Sequence, residues 1–373
     1  MKRMGVDVGG TFTDFIYVDD DGKVEVYKTS TTPEDPSIGM LEGINAICDK
    51  LSLPHEEIDE IFHGTTIATN MVLEHKGARA GMITTKGFRD IIHIARHKRP
   101  TNFSIVEDIP WQKYPVCKRQ DRYGVTERVV APDGRELVPL DEDEVRAAVR
   151  KMKKDKVEAI AVCFLFSFLN PAHEERVKEI VKEEYPEAYL CLSSEVLPQF
   201  REYERFTTTG LNAYIGPTTS KYIRSLENTL REQGYTANVH LMQSFGGVAS
   251  TEAAQQKPVN LLLSGPVGGV LGAIWTTKLT PITNVITLDI GGTSADISVL
   301  ADLKPSMKHL LDTKVGGYSA MVPMIDVGTI GAGGGSIAYI DEGGFFRVGP
   351  QSAGAVPGPA FSFAPRLPAK ALT

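Results

Sequence analysis

Two near-copies of one eight-residue phrase stand far apart in this chain: DVGGTFTD at residues 7–14 and DIGGTSAD at residues 289–296. Apolar and β-branched residues flank each copy, so each predicts a strand, a Gly-Gly turn and a second strand. One copy alone would indicate an ordinary hairpin. Two copies with Thr and Asp at matching offsets predict two hairpin loops facing each other across a cleft; two unrelated Asp-Gly turns are the alternative.

Both turns have the composition of a polyphosphate site. Glycines let backbone N–H groups approach a ligand, and successive N–H groups form a concavity that binds anions. Magnesium commonly binds through one or two carboxylates together with substrate phosphates, so we predict Asp7 and Asp289 as catalytic and metal-binding residues. The predicted cofactor-binding residues are Gly9, Gly10, Thr11, Thr13, Gly291, Gly292, Thr293, Ser294, Gly333 and Gly334.

The last two of these residues belong to a third glycine-rich stretch, GAGGGS at residues 331–336. It follows the second hairpin and is predicted either to contact phosphate or to brace the hinge of the cleft. The hairpin phrases themselves lack the Gly-Lys-Ser/Thr of a P-loop and the G-x-G-x-x-G spacing of a dinucleotide-binding turn.

Paired Asp-Gly-Gly-Thr hairpins resemble the two phosphate loops of the actin, Hsp70 and sugar-kinase ATPases. Further phrases occur in a fixed order, namely HGTTIATN at 63–70, EYER at 202–205, NAY at 212–214, QSFGG at 243–247 and SGPVGG at 264–269. Together, from residue 1 to about residue 359, the motifs resemble the A subunit of the hydantoinase/oxoprolinase family. The resemblance implies an α/β fold with two ribonuclease-H-like lobes around a nucleotide cleft, the second lobe incomplete.

On this basis we predict three segments. An N-terminal lobe covers residues 1–195, with an insertion at about residues 90–128, and a partial second lobe covers residues 196–360. Residues 361–373 depart from the family pattern and are rich in Pro and Ala, so we expect a disordered or aberrant tail. The resemblance also implies that the missing region holds the loop that grips adenosine.

The resemblance further implies a reaction and its participants. ATP with Mg²⁺ would phosphorylate the amide oxygen of a small cyclic amide (a hydantoin, 5-oxoproline or a related lactam), and water would then open the ring. A separate B-type subunit is the expected partner in a hetero-oligomer. Two alternatives stay open: the nucleotide-binding subunit of an acetone-carboxylase-type enzyme, and a truncated product without catalytic activity.

The composition sets outer bounds on function. The chain has 373 residues, 42% of them hydrophobic, and a formal net charge of −7, which is typical of a globular protein of two domains and argues against general nucleic-acid binding. No signal-peptide pattern and no apolar run of the roughly 18 residues of a spanning helix occur, so we predict a cytoplasmic protein without membrane contact. The four cysteines are too scattered for a zinc or disulfide framework.

Two local patterns give expectations for the middle of the chain. The continuous apolar run at residues 157–168 predicts a buried central strand. Residues 202–233 predict a long helix that is interrupted at Gly210 and again at Gly216 and Pro217.

Two polar groups each allow two interpretations. The basic cluster at residues 96–99 predicts either a site for an anionic or carbonyl group of a substrate or a solvated loop. Glu202, Glu204 and Arg205 belong to a phrase that the family has near its active cleft, but a salt-bridged helix face would explain them equally well.

Overall fold

The computed structural model describes residues 1–9, 12–32, 36–97, 109–292 and 294–353. It is an α/β structure, and its strands in chain order are β1 (Lys2–Val8), β2 (Phe12–Asp19), β3 (Val24–Ser30), β4 (Glu60–Thr65), β5 (Ala80–Thr85), β6 (Cys117–Val125), β7 (Arg128–Val130), β8 (Arg135–Val138), β9 (Ala159–Cys163), β10 (Tyr189–Leu192), β11 (Asn238–Met242), β12 (Val248–Ser250), β13 (Val285–Ile290), β14 (Ala295–Ala301), β15 (Lys304–Pro305), β16 (Lys314–Val315), β17 (Tyr318–Ser319), β18 (Gly328–Ile330), β19 (Ser336–Ile340) and β20 (Phe346–Ser352).

The helices, again in chain order, are α1 (Pro36–Leu51), α2 (Ile67–Leu73), α3 (Ile91–Ile94), α4 (Pro110–Lys113), α5 (Glu142–Lys154), α6 (Ala172–Glu184), α7 (Ser193–Val196), α8 (Glu202–Glu232), α9 (Thr251–Gln256) and α10 (Ser264–Thr277). Within the described ranges, no helix combines the length and the apolar character needed to cross a lipid bilayer.

The first sheet has the strand order β12-β11-β4-β1-β2-β3. Strand β1 lies in its interior, antiparallel to β2 and parallel to β4, and β11 runs parallel to β4. Helix α1 and the end of α8 pack on this sheet through a core that includes Ile44, Ile61 and Leu226. Strands from residues 2–65 and 238–250 thus share one sheet, and the sequence-predicted lobe boundary after residue 195 stays a prediction.

The second sheet, ordered β10-β9-β5-β6, is entirely parallel. Helices α5 and α6 cover one face, and α8 covers the other. All five residues of β9 are buried, as expected for a parallel sheet covered on both faces. Strand β6 lies inside the sequence-predicted insertion at residues 90–128 yet pairs with β5, so part of that segment is a strand of the sheet. Residues 98–108 lie outside the described residues.

The apolar run at residues 157–168 forms a shorter strand than its composition suggests. The strand ends at Cys163, and Phe166 takes a left-handed backbone conformation with a φ of 60°. Phe164 and Leu165 stay buried after leaving the sheet. The apolar run therefore indicates which residues are buried, and the buried residues continue beyond the end of the strand.

Helix α8 is continuous over 31 residues, so the predicted interruptions are wrong. A side chain at Gly216 would overlap the Tyr189 ring, and a methyl group at Gly210 would lie 3.2 Å from a Val116 methyl. These glycines therefore permit close packing inside the helix. Pro217 lacks an N–H for one intrahelical bond, but burial of the surrounding helix offsets that loss.

The third sheet is built from β13, β14 and β15, with β18 paired to β14. Its strand β13 exposes a row of apolar side chains, with 71% of Ile286, 60% of Leu288 and 62% of Ile290 accessible to solvent. A small core around Val267 and Leu300 joins this sheet to α10. In the described part of the chain, the row on β13 is left uncovered.

The packing of α1 on the first sheet gives a stability prediction. A β-carbon at Gly43 would overlap the Phe15 ring, so Gly43→Ala should lower the free energy of unfolding by about 1–3 kcal/mol. Gly272→Ala, at an open position of α10, is the matched control and should raise it by roughly 0.5–1 kcal/mol. Urea denaturation measures both; equal changes would show that the contact with Phe15 is unimportant.

Candidate functional site

The first hairpin joins β1 and β2. Asp7 lies opposite Asp14, and the Gly9 N–H donates to the Phe12 carbonyl at 3.0 Å, which closes a tight turn. The tip residues Gly10 and Thr11 lie outside the described residues. Thr13 is buried with its hydroxyl 3.0 Å from that of Thr31. Its predicted role towards a cofactor stays a prediction.

The second hairpin repeats this geometry between β13 and β14. Asp289 lies opposite Asp296, and the Gly291 N–H donates to the Ser294 carbonyl at 2.9 Å. Thr293, at the tip, lies outside the described residues. The sequence repeat therefore corresponds to a repeat of local structure: the same turn closure, with an aspartate at the same register before each turn.

The third glycine-rich stretch packs directly on the second hairpin. The Gly334 N–H donates to the Gly291 carbonyl at 2.9 Å, and the Gly335 N–H to the Gly292 carbonyl at 2.7 Å. A β-carbon at Gly333 would lie 2.5 Å from the Gly291 oxygen, which only glycine tolerates. The stretch braces this hairpin, and a contact of Gly333 and Gly334 with phosphate remains a prediction.

Helix α10 brings the two hairpins to one surface. A methyl group on Gly265 would lie 3.2 Å from Asp7 Oδ1, and one on Gly269 would lie 3.9 Å from Asp289 Oδ2. Residues four apart share a helix face, so both carboxylates lie along one face of α10, about one turn apart. Gly64, paired with Asp7 across the sheet, has a β-carbon position 2.9 Å from the same oxygen.

The surroundings of Asp7 raise its pKa to about 6. Desolvation by dense protein is the main cause, although the side chain still reaches solvent; repulsion from Asp14 and from Asp289 adds to it. Lys28 opposes the shift and forms an ion pair with Asp14 at 2.7 Å. The two hairpins approach one face of α10, and Asp289 lies close enough to Asp7 to influence its pKa.

This donor set fits a divalent cation. The exposed Asp7 and Asp289 carboxylates lie along one face of α10, and neither forms an ion pair within the described residues. Beside Asp7, the glycines at 64 and 265 leave space that any β-carbon would fill. Across the described ranges, no three His, Cys, Asp or Glu side chains cluster tightly enough to hold a metal by themselves. Magnesium commonly takes its other ligands from phosphate and water.

The sequence gives no site role to Gly64, and for the glycines at residues 264–269 it indicates only a close approach of the backbone to a ligand or to another strand. The signal is a small residue at the end of a strand or in the first turns of a helix, but only the fold shows which carboxylate these glycines approach. His63, in the same phrase as Gly64, is no part of the open site. It is buried, hydrogen-bonded to the Tyr222 hydroxyl at 2.8 Å, and burial lowers its pKa to about 4.

The two ambiguous polar groups meet at the start of α8. Arg96 donates from Nε to Glu204 Oε1 at 3.0 Å, and it also stacks near the Tyr203 ring. Arg205 is buried and donates to the carbonyl oxygens of Gln199 and Phe164. The salt-bridged helix face is therefore wrong for Arg205, and Arg96 is no freely solvated loop residue.

Two adjoining hairpins of this form, on an α/β framework, define the actin-like class of ATPase folds. Family models agree: residues 3–185 match the hydantoinase/oxoprolinase N-terminal region, and residues 205–365 match hydantoinase/oxoprolinase. The chain belongs to the hydantoinase/oxoprolinase family.

Individual relatives support the same conclusion. Caprolactamase subunit alpha of Pseudomonas jessenii is 36% identical over 361 residues, covering 96% of this chain and 51% of the relative. The 5-oxoprolinase of Saccharomyces cerevisiae is 31% identical, covering 96% and 30%.

Two solved structures share the fold. The crystal structure of the P. jessenii ATP-dependent caprolactamase has a TM-score of 0.81 at 36% identity, covering 96% of this chain and 52% of that one. Nucleotide-free acetone carboxylase has a TM-score of 0.82 at 27% identity, covering 95% and 52%. The chain thus spans about half the length of the subunits that it matches in these two structures.

The raised pKa of Asp7 predicts a pH-dependent stability. The pKa of Asp7 is about 6 in the folded state and 3.8 ordinarily, so the folded state binds the proton more tightly than the unfolded state does. The free energy of unfolding therefore falls as pH rises from about 4 to about 6, and it stays lower above pH 6. Asp7→Asn should therefore stabilise the fold at pH 7.5, by about 1 kcal/mol after allowance for solvent screening, and should do little at pH 4. Thermal unfolding at both values measures this. Asp21→Asn, at an exposed position in the turn between β2 and β3, is the control and should have little effect at either pH. An effect of Asp7→Asn that is the same at both pH values would contradict the raised pKa of Asp7.

Proposed function

We propose that this chain is the ATP-using part of an enzyme that activates a small cyclic amide by phosphorylating its amide oxygen. The observation that carries the proposal is the pair of matching hairpins whose aspartates lie along one glycine face of α10. Backbone donors on both sides of an anion, with carboxylates for a metal between them, form the kind of site that phosphoryl transfer requires.

Each predicted site residue has a role in this proposal. Gly9, Gly10 and Thr11 contact the phosphates from one side, and Gly291, Gly292 and Thr293 from the other. Thr13, Ser294, Gly333 and Gly334 complete the two loops. Asp7 and Asp289 would hold Mg²⁺, and the metal would neutralise phosphate charge in place of a basic side chain at the turns.

The chemistry follows from the weakness of an amide as an electrophile. The amide oxygen attacks the γ-phosphorus, the bond to the β-phosphate oxygen breaks, and ADP leaves. The amide nitrogen gives up its proton in this step. Water then adds to the activated carbon and the ring C–N bond breaks, which gives an amine and an acyl phosphate; a second water hydrolyses the acyl phosphate to a carboxylate and free phosphate. The contribution of this chain is positioning and exclusion of water from the phosphates.

The partner and the location form part of the same proposal. Relatives are named as subunits, caprolactamase subunit alpha among them, which supports a partner subunit. We propose that this partner is a B-type subunit that opens the ring, and that the two form a hetero-oligomer in the cytoplasm. A second candidate, activation of a ketone for carboxylation, is favoured by the structural similarity to acetone carboxylase.

Binding of Mg-ATP tests the hairpin site. We expect calorimetric titration of the chain to show micromolar binding, and Asp7→Ala or Asp289→Ala to weaken it at least about 10-fold through loss of metal coordination. Asp312→Ala, at an exposed carboxylate, is the matched control and should bind normally. Absence of binding in the unmodified chain would support the non-catalytic alternative instead.

ATP turnover distinguishes the two candidate reactions. With the chain co-purified with its B-type subunit, ring amides (hydantoin, 5-oxoproline, caprolactam) should stimulate ATP hydrolysis, and Asp7→Ala or Asp289→Ala should abolish that stimulation while far-ultraviolet circular dichroism stays unchanged. Stimulation of ATP hydrolysis by acetone with bicarbonate, and by none of the ring amides, would favour the carboxylase hypothesis.

A further inference from the structure

A separate cavity of about 300 Å³ lies beside the first turn of α8. Three arginines and three phenylalanines dominate its lining, namely Arg96, Arg201, Arg205, Phe166, Phe168 and Phe200. Its volume is at the lower end of the range for small-molecule sites, so it suits a single small ring rather than a nucleotide.

The cavity lies where the topology of the second sheet favours a ligand. From β5 the chain moves to β6 on one side of the sheet, and later to β9 on the other, so the strand order reverses at β5. Ligands of open parallel sheets bind outside the carboxyl ends of the strands at such a reversal. Phe166 and Phe168 directly follow β9, and Arg96 follows the short helix after β5.

The charge of the lining is unbalanced towards positive. Arg205 is only 1% exposed, donates only to main-chain carbonyls, and its Nε has no hydrogen-bond partner among the described residues. Arg201 forms no ion pair within the described ranges either. Glu202 is the single carboxylate among the described lining residues, and Arg96 already forms an ion pair with Glu204.

Glu174 is the buried carboxylate with the largest electrostatic influence on Arg205, but the two form no ion pair. Glu174 accepts hydrogen bonds from the Phe164 and Ser194 main chain and from the Ser193 hydroxyl, so its oxygens are already used. A buried guanidinium without a carboxylate partner is costly, and an anionic ligand would offset that cost.

The backbone at the cavity is also unusual. Arg201 has a φ of 80° and Phe166 a φ of 60°, both in the left-handed region that favours glycine. Such strain in residues with large side chains persists where the surrounding structure holds it, and it concentrates at ligand sites. Both strained residues present side chains to the same cavity.

We propose that this cavity binds the carboxylate of a small carboxylate-bearing ring compound, with Arg201 and Arg205 as the recognising groups. The identification of that compound as the ring amide to be phosphorylated rests on the proposed function. The phenylalanines contact the apolar ring carbons, and the arginines select a charged ring amide over a neutral one of the same size.

The test compares 5-oxopyrrolidine-2-carboxylate with neutral 2-pyrrolidinone, using calorimetry on the chain. The charged ring should bind at least about 10-fold more tightly, and Arg201→Gln should weaken its binding about 10- to 100-fold, the effect of losing a charge-assisted hydrogen bond. Arg231→Gln, an exposed position near the other end of α8, is the matched control and should change neither ligand. Arg201→Gln should leave Mg-ATP binding intact.

Three outcomes would overturn the inference: equal binding of the charged and neutral rings, binding of neither ring, or an Arg201→Gln protein that retains the full preference. Because Arg205 is buried, its replacement is a weaker test than Arg201→Gln. Failure of Mg-ATP to bind the unmodified chain would instead contradict the proposed function, so the two failures are distinguishable by which ligand is lost.

Discussion

The candidate phosphate site depends on the close approach of two aspartates to one helix. Asp7 and Asp289 come to the same face of α10 because that face carries Gly265 and Gly269 where other helices carry side chains. The helix gives up intrinsic stability at each glycine. The hairpins then lie close enough that Asp289 adds to the raised pKa of Asp7, after desolvation and repulsion from Asp14. A site that brings like charges together favours a cation between them.

Repetition made part of this arrangement predictable. Both hairpins follow from eight-residue phrases with matching offsets, and the structure gives them the same register and the same turn closure. The long helix after residue 202 and the buried strand near residue 160 follow from composition. Local patterns also indicate positions that require glycine, such as residue 333, but they do not predict which atoms the glycine approaches.

The remaining features depend on contacts between segments that are distant in the chain, and local sequence patterns do not predict such contacts. Gly216 looked like a helix interruption because its partner, the Tyr189 ring, is supplied by another element. Arg96 and Glu204 each allow two interpretations in the sequence, because their ion pair forms between the segment after α3 and the start of α8, which are far apart in the chain. An apolar run predicts which residues are buried more reliably than it predicts where a strand ends. For this reason the strand predicted from residues 157–168 is longer than β9.

Charge distribution connects the two candidate sites. The chain carries a formal net charge of −7, yet both proposed ligands are anions. At the proposed hairpin site the positive potential would come from backbone N–H groups and the proposed metal, which add no net charge to the polypeptide. At the cavity it comes from guanidinium groups beside aromatic rings, whose low polarity strengthens the interaction with a carboxylate. In both proposals local desolvation, rather than total charge, decides which anion is bound, and the negative net charge disfavours the unspecific binding of polyanions.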